Sequence, residues 1–211
     1  MHWMGLLCLP PKMWYNMTMK TFSAGEELKA QDLNDNFAAA VGSAPGLVHL
    51  HTESFSAVSS VSIDSVFSST YDNYRIIFVG TLSATEGDLC ARMRASGTDA
   101  TTTNYAFFLF AQGVNNTSYN QVNNASDTRW IVGRVGSMGT SSCSFDLFSP
   151  VSAARTTFHS QNYGDGDTTG FAQVGSGSHT LSNSYDGITI FPGGHNMTGT
   201  IHIYGYSEGG N

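Results

Sequence analysis

The sequence predicts a mainly β protein, an antiparallel β-sandwich preceded by a short N-terminal helix and arm. Three observations carry that expectation. Some ten short runs after Leu47 alternate apolar with polar residues, the period of a half-buried strand. Turn clusters such as Val114-Asn-Asn-Thr117, Gly164-Asp-Gly-Asp167 and Pro192-Gly-Gly-His195 separate them. Neither a helical period nor a fixed internal repeat occurs among the runs, which disfavours a solenoid or a propeller. Many short strands at close spacing, without helices between them, point to a jelly-roll-like sandwich.

The chain of 211 residues is long enough for one large β domain or two small ones. Only 12% of its residues are charged, about half the usual share, whereas Ser, Thr, Asn and Gly together make up roughly 40%. The surface is therefore expected to be polar but mostly uncharged. A net charge of −7 with 12% aromatic residues suits an ordered globular chain better than a disordered one. Lysine occurs only at Lys12, Lys20 and Lys29, and six arginines are scattered singly. Without a basic stripe to neutralise a phosphate backbone, nucleic acid is not an expected partner. The apolar stretch Met4 to Pro11 is too short to span a bilayer and has no basic residue before it, so neither a membrane anchor nor a secretory signal is expected. Cys8, Cys90 and Cys143 are odd in number and far apart, which favours buried free thiols over a disulfide framework or a zinc pair.

Along the chain, residues 1–18 hold four methionines, two tryptophans and a Pro-Pro pair without a clear period. Such an arm needs a neighbour, and Trp3, Trp14 and Tyr15 are expected to pack on a partner chain. From Ala30 to Val41, the apolar residues Ala30, Leu33, Phe37 and Val41 recur at three- and four-residue steps, the face of a three-turn helix. Asp32 suits the positive end of its dipole, and Gly42 stands where a left-handed terminator is wanted. A helix this short, with so narrow an apolar stripe, is expected to pack against copies of itself or another protein. Gly42-Ser-Ala-Pro-Gly46 then reads as a linker between an attachment region, residues 1–45, and a sandwich, residues 47–211.

The sandwich begins with one parity at Phe55, Ala57, Ser59, Val61 and Ile63, and another at Tyr74, Ile76, Phe78 and Leu82. Further runs fall at 89–94, 105–111, 128–135, 143–148, 156–161, 170–174, 187–191 and 199–206. Ile188, Ile190, Ile201 and Ile203 share an inward parity. Thr200, His202, Tyr204 and Tyr206 take the opposite face, and a face bearing tyrosines suits a subunit interface.

Two stretches carry a resemblance. Phe22-Ser-Ala-Gly-Glu-Glu-Leu-Lys-Ala-Gln-Asp-Leu-Asn-Asp-Asn-Phe37 resembles the opening motif of many tailed-bacteriophage tail-fibre and related virion proteins. Ser69-Thr-Tyr-Asp-Asn-Tyr-Arg-Ile-Ile-Phe78, Leu89-Cys-Ala-Arg-Met-Arg94 and Gly199-Thr-Ile-His-Ile-Tyr-Gly-Tyr206 are similar to the β-sandwich of phage fibre tips and head-bound virion proteins, whose architecture is that of tumour-necrosis-factor and C1q-like trimers. The two together cover about a fifth of the chain. The resemblance implies a homotrimer in the virion, made in the host bacterial cytoplasm. It also implies an N-terminal helix that trimerises or docks on other tail or capsid proteins, and a distal head that presents loops.

Candidate chemistry is sparse. His49 and His51 stand two apart on what reads as one strand face, with Glu53 beyond them, but that set is short of a metal site, so none is expected. Gly164-Asp-Gly-Asp-Thr168 begins like a calcium loop, yet residues 168–180 supply no further carboxylate. His159 with Asp165 or Asp167 and a serine is a coincidence that any Ser-rich chain produces, and Gly175-Ser-Gly-Ser178, in a loop-like stretch, lacks the spacing of a nucleophile elbow. The Asn-x-Ser/Thr triplets likewise follow from composition.

The expected function is binding without catalysis and without a cofactor. It is that of a trimeric short tail fibre attached through residues 1–45, whose head contacts host-surface glycan; the alternative is a capsid decoration or head-fibre protein that binds no receptor. Leu28, Leu33, Phe37, Val41, Tyr204 and Tyr206 are the expected attachment and oligomerisation residues. Tyr105, Tyr119, Trp130 and Tyr163, in or beside loop-rich stretches, are the expected receptor contacts, since such rings stack on sugars without needing a charged ligand.

Overall fold

A computed structural model describes residues 20–43, 45–83, 86–115, 120–166 and 170–208, apart from the side chains of residues 38–43. The chain divides into two compact units, Gly46–Ser207 and a second made of Met1–Pro45 with Glu208–Asn211. The arm of residues 1–18, Tyr119 and the side chain of Val41 lie outside the described residues.

In the smaller unit the helical period does form a helix, α1 (Ala30–Ser43). It runs through Gly42, so that residue does not terminate it. Lys20 ties the preceding segment to α1. Its backbone N–H donates to Asn36 Oδ1 (2.6 Å) while Asn36 Nδ2 donates to its carbonyl (2.9 Å). Its ammonium sits 2.6 Å from Asp32 and 2.7 Å from Glu26. Leu28 and Phe37 stand exposed, at 58% and 67%, and Leu33 is partly buried.

The larger unit is a sandwich of two antiparallel sheets. Its strands are β1 (Gly46–Val58), β2 (Val61–Ile63), β3 (Asn73–Leu82), β4 (Glu86–Ala95), β5 (Thr98–Asp99), β6 (Tyr105–Gly113) and β7 (Asn120–Asp127). They continue with β8 (Trp130–Gly136), β9 (Ser141–Phe148), β10 (Thr156–Asp165), β11 (Gly170–His179), β12 (Gly187–Pro192) and β13 (Met197–Ser207). The large sheet has the order β1-β13-β3-β9-β10-β11-β6-β7. In the small sheet β2, β12 and β4 follow one another, and β5 and β8 pair with β4.

Setting aside β5, β6, β7, β10 and β11 leaves eight strands in two sheets of four, β1-β13-β3-β9 and β2-β12-β4-β8. The chain crosses between those sheets from β1 to β2, β2 to β3, β3 to β4, β8 to β9, β9 to β12 (by way of β10 and β11) and β12 to β13, which is jelly-roll connectivity. The β6–β7 hairpin is inserted between β4 and β8, and the β10–β11 pair between β9 and β12. Both insertions join the large sheet on the free side of β9 and widen it by four strands.

Alternation decides what is buried. Tyr74, Ile76 and Phe78 of β3, Cys143, Phe145 and Leu147 of β9, and Ile201 and Ile203 of β13 point inward to Leu89, Ala91 and Met93 of β4 and Ile188 and Ile190 of β12. Strand β8 continues the small sheet beneath β10, β11 and β6. There Trp130 stands 5.0 Å from the Phe158 ring and 5.1 Å from Tyr105, and His179 lies 4.4 Å from Tyr105 and 5.2 Å from Tyr185. Trp130 Nε1 donates to Ser178 O, and the Tyr105 hydroxyl donates to Ala100 O while accepting from Met93 N–H. His179 Nδ1 lies 3.2 Å from the Tyr185 hydroxyl, while its Nε2 is buried without a partner among the described residues.

Several expectations fail on details of the backbone. Phe55 to Ile63 is not one strand: Ala57 takes a left-handed φ of 54° at a register shift, and β1 ends at Val58. Gly175-Ser-Gly-Ser178 is strand, not loop. Its glycines face inward, where an added Cβ would lie 2.2 Å from Leu109 Cδ2 at position 175 and 2.5 Å from the Phe158 ring at position 177. Large side chains on β6 and β10 fill that space, so glycine is what lets β11 lie between them. β7 is a strand with almost wholly exposed residues, Asn-Gln-Val-Asn-Asn-Ala-Ser, and β1 starts at Gly46, well before Phe55.

Candidate functional site

The face of the large sheet turned away from the small one carries two adjacent rows of side chains in cross-strand register. The first runs His49, Tyr204, Arg75, Asp146, His159, Ser176, Phe108 and Asn123 from β1 to β7. The second runs Thr52, His202, Ile77, Ser144, Gln161, Val174, Phe110 and Gln121. Neighbours in such a row have Cβ atoms about 5 Å apart, close enough to act on one ligand.

Three zones follow along the rows. At the β1 edge the Thr52 hydroxyl bridges two imidazoles, 2.7 Å from His49 Nε2 and 2.9 Å from His202 Nδ1, with the Tyr204 ring 5.3 Å from His49. A hydroxyl has one proton to give, so with both bonds made at least one imidazole is a donor.

In the centre Arg75 grips Asp146 with both arms of its fork, Nε to Oδ1 at 2.7 Å and Nη2 to Oδ2 at 2.8 Å. The Tyr206 hydroxyl adds a bond to Oδ1 at 2.6 Å. Burial alone would raise the Asp146 carboxyl, but these hydrogen bonds, with the charges of Arg75 and His159, outweigh it and hold the group below its ordinary value. Partial burial, with the Asp146 carboxylate beside it, pushes the Tyr206 phenol up to about 12. The clamp is thus a closed, neutral unit in the sheet surface.

Beyond the clamp, on β9, β10, β11 and β6, the surface hollows into a trough of about 480 Å³ that adjoins a second hollow of about 660 Å³. Phe108, His159 and Ser176 line both. Phe110 is 47% exposed, its ring edge-on to Phe108 at 4.5 Å, and Val174 beside it is 52% exposed. Opposite this apolar wall stand Ser144, Gln161 and His159, the last against the Phe148 ring at 5.4 Å. Among the described residues, the one carboxylate and the one guanidinium lining the first hollow are Asp146 and Arg75, and they cancel.

The register sets Asp146, His159 and Ser176 side by side, a serine-hydrolase set in name. No hydrogen bond joins His159 to either of the others, and both Asp146 oxygens are taken by Arg75 and Tyr206. Orienting an imidazole through a carboxylate requires that bond. Nor do the described cysteines supply a nucleophile: burial pushes the Cys90 and Cys143 thiols up to about 12.

No protein-family model matches this chain, and no curated protein is detectably similar to it. The chemistry of the site is therefore read from its own side chains.

Of the receptor contacts expected from sequence, Tyr105 and Trp130 are corrected: both are fully buried in the aromatic seam and cannot touch an external ligand. Tyr163, on β10 beyond Gln161, is 46% exposed on the trough face. Tyr204 and Tyr206 are partly buried on the same face, Tyr206 in the clamp. His49 and His51 do not share a face, because a register shift between them leaves His49 outward against Tyr204 while His51 stands opposite inward Ile203, 3.4 Å from Glu53. Among the described residues no group of three or more His, Cys, Asp or Glu is placed to hold a metal ion, and no helix is long and apolar enough to cross a membrane.

Phe108, Phe110, Gln161, His159 and the Arg75–Asp146 clamp were not singled out as contacts. A signal for the first two is present in Tyr105-Ala-Phe-Phe-Leu-Phe110, where apolar residues occupy both parities of one strand. A strand that is apolar on both faces needs cover on both, and β6 has it only on the inner one.

Proposed function

We propose that the chain is a non-enzymatic virion structural protein, a trimeric short tail fibre attached through its N-terminal segment, whose jelly-roll head binds host-surface glycan in the trough. The observation that carries the binding site is the trough itself: two phenylalanine rings and a valine wall opposite uncharged hydrogen-bonding groups, beside a pair of charges that cancel. A pyranose ring has an apolar face and a rim of hydroxyls, and this surface offers a partner to each. The trough opens broadly on the sheet face, which suits a residue within a chain of sugars. The virion assignment draws on the resemblance of residues 22–37, and exposed Leu28 and Phe37 suit attachment to another protein. Three copies on one particle raise the effective concentration of a weak site.

The test has two arms. Sedimentation of the full chain is expected to give about three times the 22.6 kDa chain mass; a stable monomer at micromolar concentration overturns the fibre reading. Binding to an array of bacterial surface polysaccharides is expected to fall at least tenfold in Phe110→Ser and in Gln161→Ala, with the fold unchanged. Retention of binding by both variants moves the glycan site elsewhere.

A further inference from the structure

On the opposite side of the sandwich, the outward face of the small sheet carries three arginines in two different states. Arg94 is buried and saturated: its Nε donates to Asp64 Oδ1 at 2.7 Å, its Nη1 donates to Asp99 and Thr189, and its Nη2 donates to Gly97 O. Both nearby carboxylates are taken up by this one guanidinium.

Arg92 and Arg129 are left without an acid. Both lie over one ring, with their Cζ atoms 4.6 Å and 6.0 Å from the centroid of Phe191. Arg92 Nε donates to the Thr128 carbonyl at 3.0 Å. The Arg129 guanidinium makes no hydrogen bond or ion pair with any described residue, and its Nε is buried with no partner. Asp88 and Asp127 are the acids of this neighbourhood, and together with the two arginines they set the charge felt at Cys90. Neither forms an ion pair with either guanidinium; Asp127 instead accepts from Thr128 N–H at 2.6 Å and Asn124 Nδ2 at 3.0 Å.

Two guanidiniums held over one aromatic ring, neither neutralised by a carboxylate, form a preorganised cationic fork. Planar forks of this kind bind oxyanions through paired, charge-assisted hydrogen bonds. A chain of net charge −7 repels an extended polyanion, so the fitting ligand bears a single anionic group.

We infer that Arg92 and Arg129, seated on Phe191, form a binding site for one small oxyanion, a carboxylate or phosphate group. The site is independent of the trough, which lies on the other face of the sandwich.

The test is a titration of the full chain with sodium acetate and, separately, with inorganic phosphate at constant ionic strength, read at the arginine Nε–Hε signals by NMR. At least one anion is expected to shift the Arg129 and Arg92 signals saturably at millimolar concentration, and the tighter of the two names the group. Arg129→Gln is expected to weaken binding at least tenfold and Arg129→Lys, which keeps the charge and loses the fork, by an intermediate factor. Arg155→Gln, at an exposed arginine away from the cluster, leaves it unchanged. Linear shifts with both anions, or equal weakening by Arg129→Gln and Arg155→Gln, overturn the site. Should Arg129→Gln fail to fold, the wild-type titration and Arg92→Gln carry the same test.

Discussion

The two halves of the large sheet obey the same alternation but are covered differently. In β1-β13-β3-β9 the inward residues meet β2, β12 and β4, and a largely aliphatic core is flanked by small ring contacts, Phe55 on Phe78 and both Phe67 and Tyr71 on Tyr74. In β10-β11-β6-β7 the cover is chiefly β8, a seven-residue strand, and the inward residues combine large rings, Tyr105, Phe107, Phe158 and His179 near Trp130, with glycines and the buried polar residues Thr156, Ser160, Asn162 and Gln173. Where one short strand must cover three, large rings supply the missing area. The outward faces differ too, since the skeleton half carries the closed clamp and the His-Thr-His bridge while the inserted half carries the trough. A jelly roll thus gains a binding surface by widening one sheet, leaving the connections of its own eight strands intact.

The sharpest way to break this comparison is at the seam. Trp130→Ala removes the ring on which the inserted half rests and is expected to cost about 3–5 kcal/mol, measured by denaturant unfolding. A single shifted transition means that the two halves fold as one unit. Two transitions separated by probe would show that the skeleton stands without its extension.

The seam also makes stability depend on pH. Burial lowers the His179 pKa, chiefly by penalising its charged form. A histidine with a depressed folded pKa contributes stability that is fully present above its unfolded value of about 6.5. That contribution is lost as pH falls, because the unfolded chain takes up a proton the native one resists. One such group gives a slope of at most about 1.4 kcal/mol per pH unit below that point. Thermal melts between pH 7 and pH 5 are expected to show the loss, and His179→Phe to flatten it.

In the skeleton half the corresponding element is the clamp. Arg75→Gln is expected to cost less than about 1 kcal/mol, since the guanidinium is more than a third exposed and solvent screens the pair. Its signature is in the pH profile. Asp146 is held below its ordinary value, so its contribution is present above the unfolded value of about 3.9 and is lost as pH falls through the lower folded one. Arg75→Gln is expected to weaken that acid-limb dependence, the Tyr206 hydrogen bond sustaining the rest, read by urea unfolding from pH 5 to pH 2. The smallest stability effect belongs to the trough: Phe110→Ser, at an exposed ring, is expected to stay within about 0.5 kcal/mol of the parent chain. A larger loss would mean that the outward ring supports the fold.

How much of this was legible depends on how strongly each residue signals its side of the sheet. Strands β9, β12 and β13 announce themselves because β-branched and aromatic residues alternate with polar ones, and Ile201 and Ile203 do face inward. β7 was invisible because an edge strand of Asn, Gln and Ser has no apolar face to mark its period. The second half of β11 was hidden because its inward positions are Gly175 and Gly177, whose space is filled from neighbouring strands. Tyr105 and Trp130 read as contacts because a ring's identity says nothing of its side, and their strands begin at those residues, next to loops. His49 and His51 were separated by a bulge that no residue type announces. Which strand lies beside which, and therefore the two rows that define the site, is a property of pairing between distant segments and has no local signal at all.

Chain order has a consequence for biogenesis. β6 and β7 emerge from the ribosome before β8, β9 and β10, yet the other sheet neighbour of β6 is β11. Until β11 arrives, the β6 edge is an open template of unpaired amides. This hairpin is the piece of the nascent chain on which a holdase would act, and the place where two growing chains would most readily mispair.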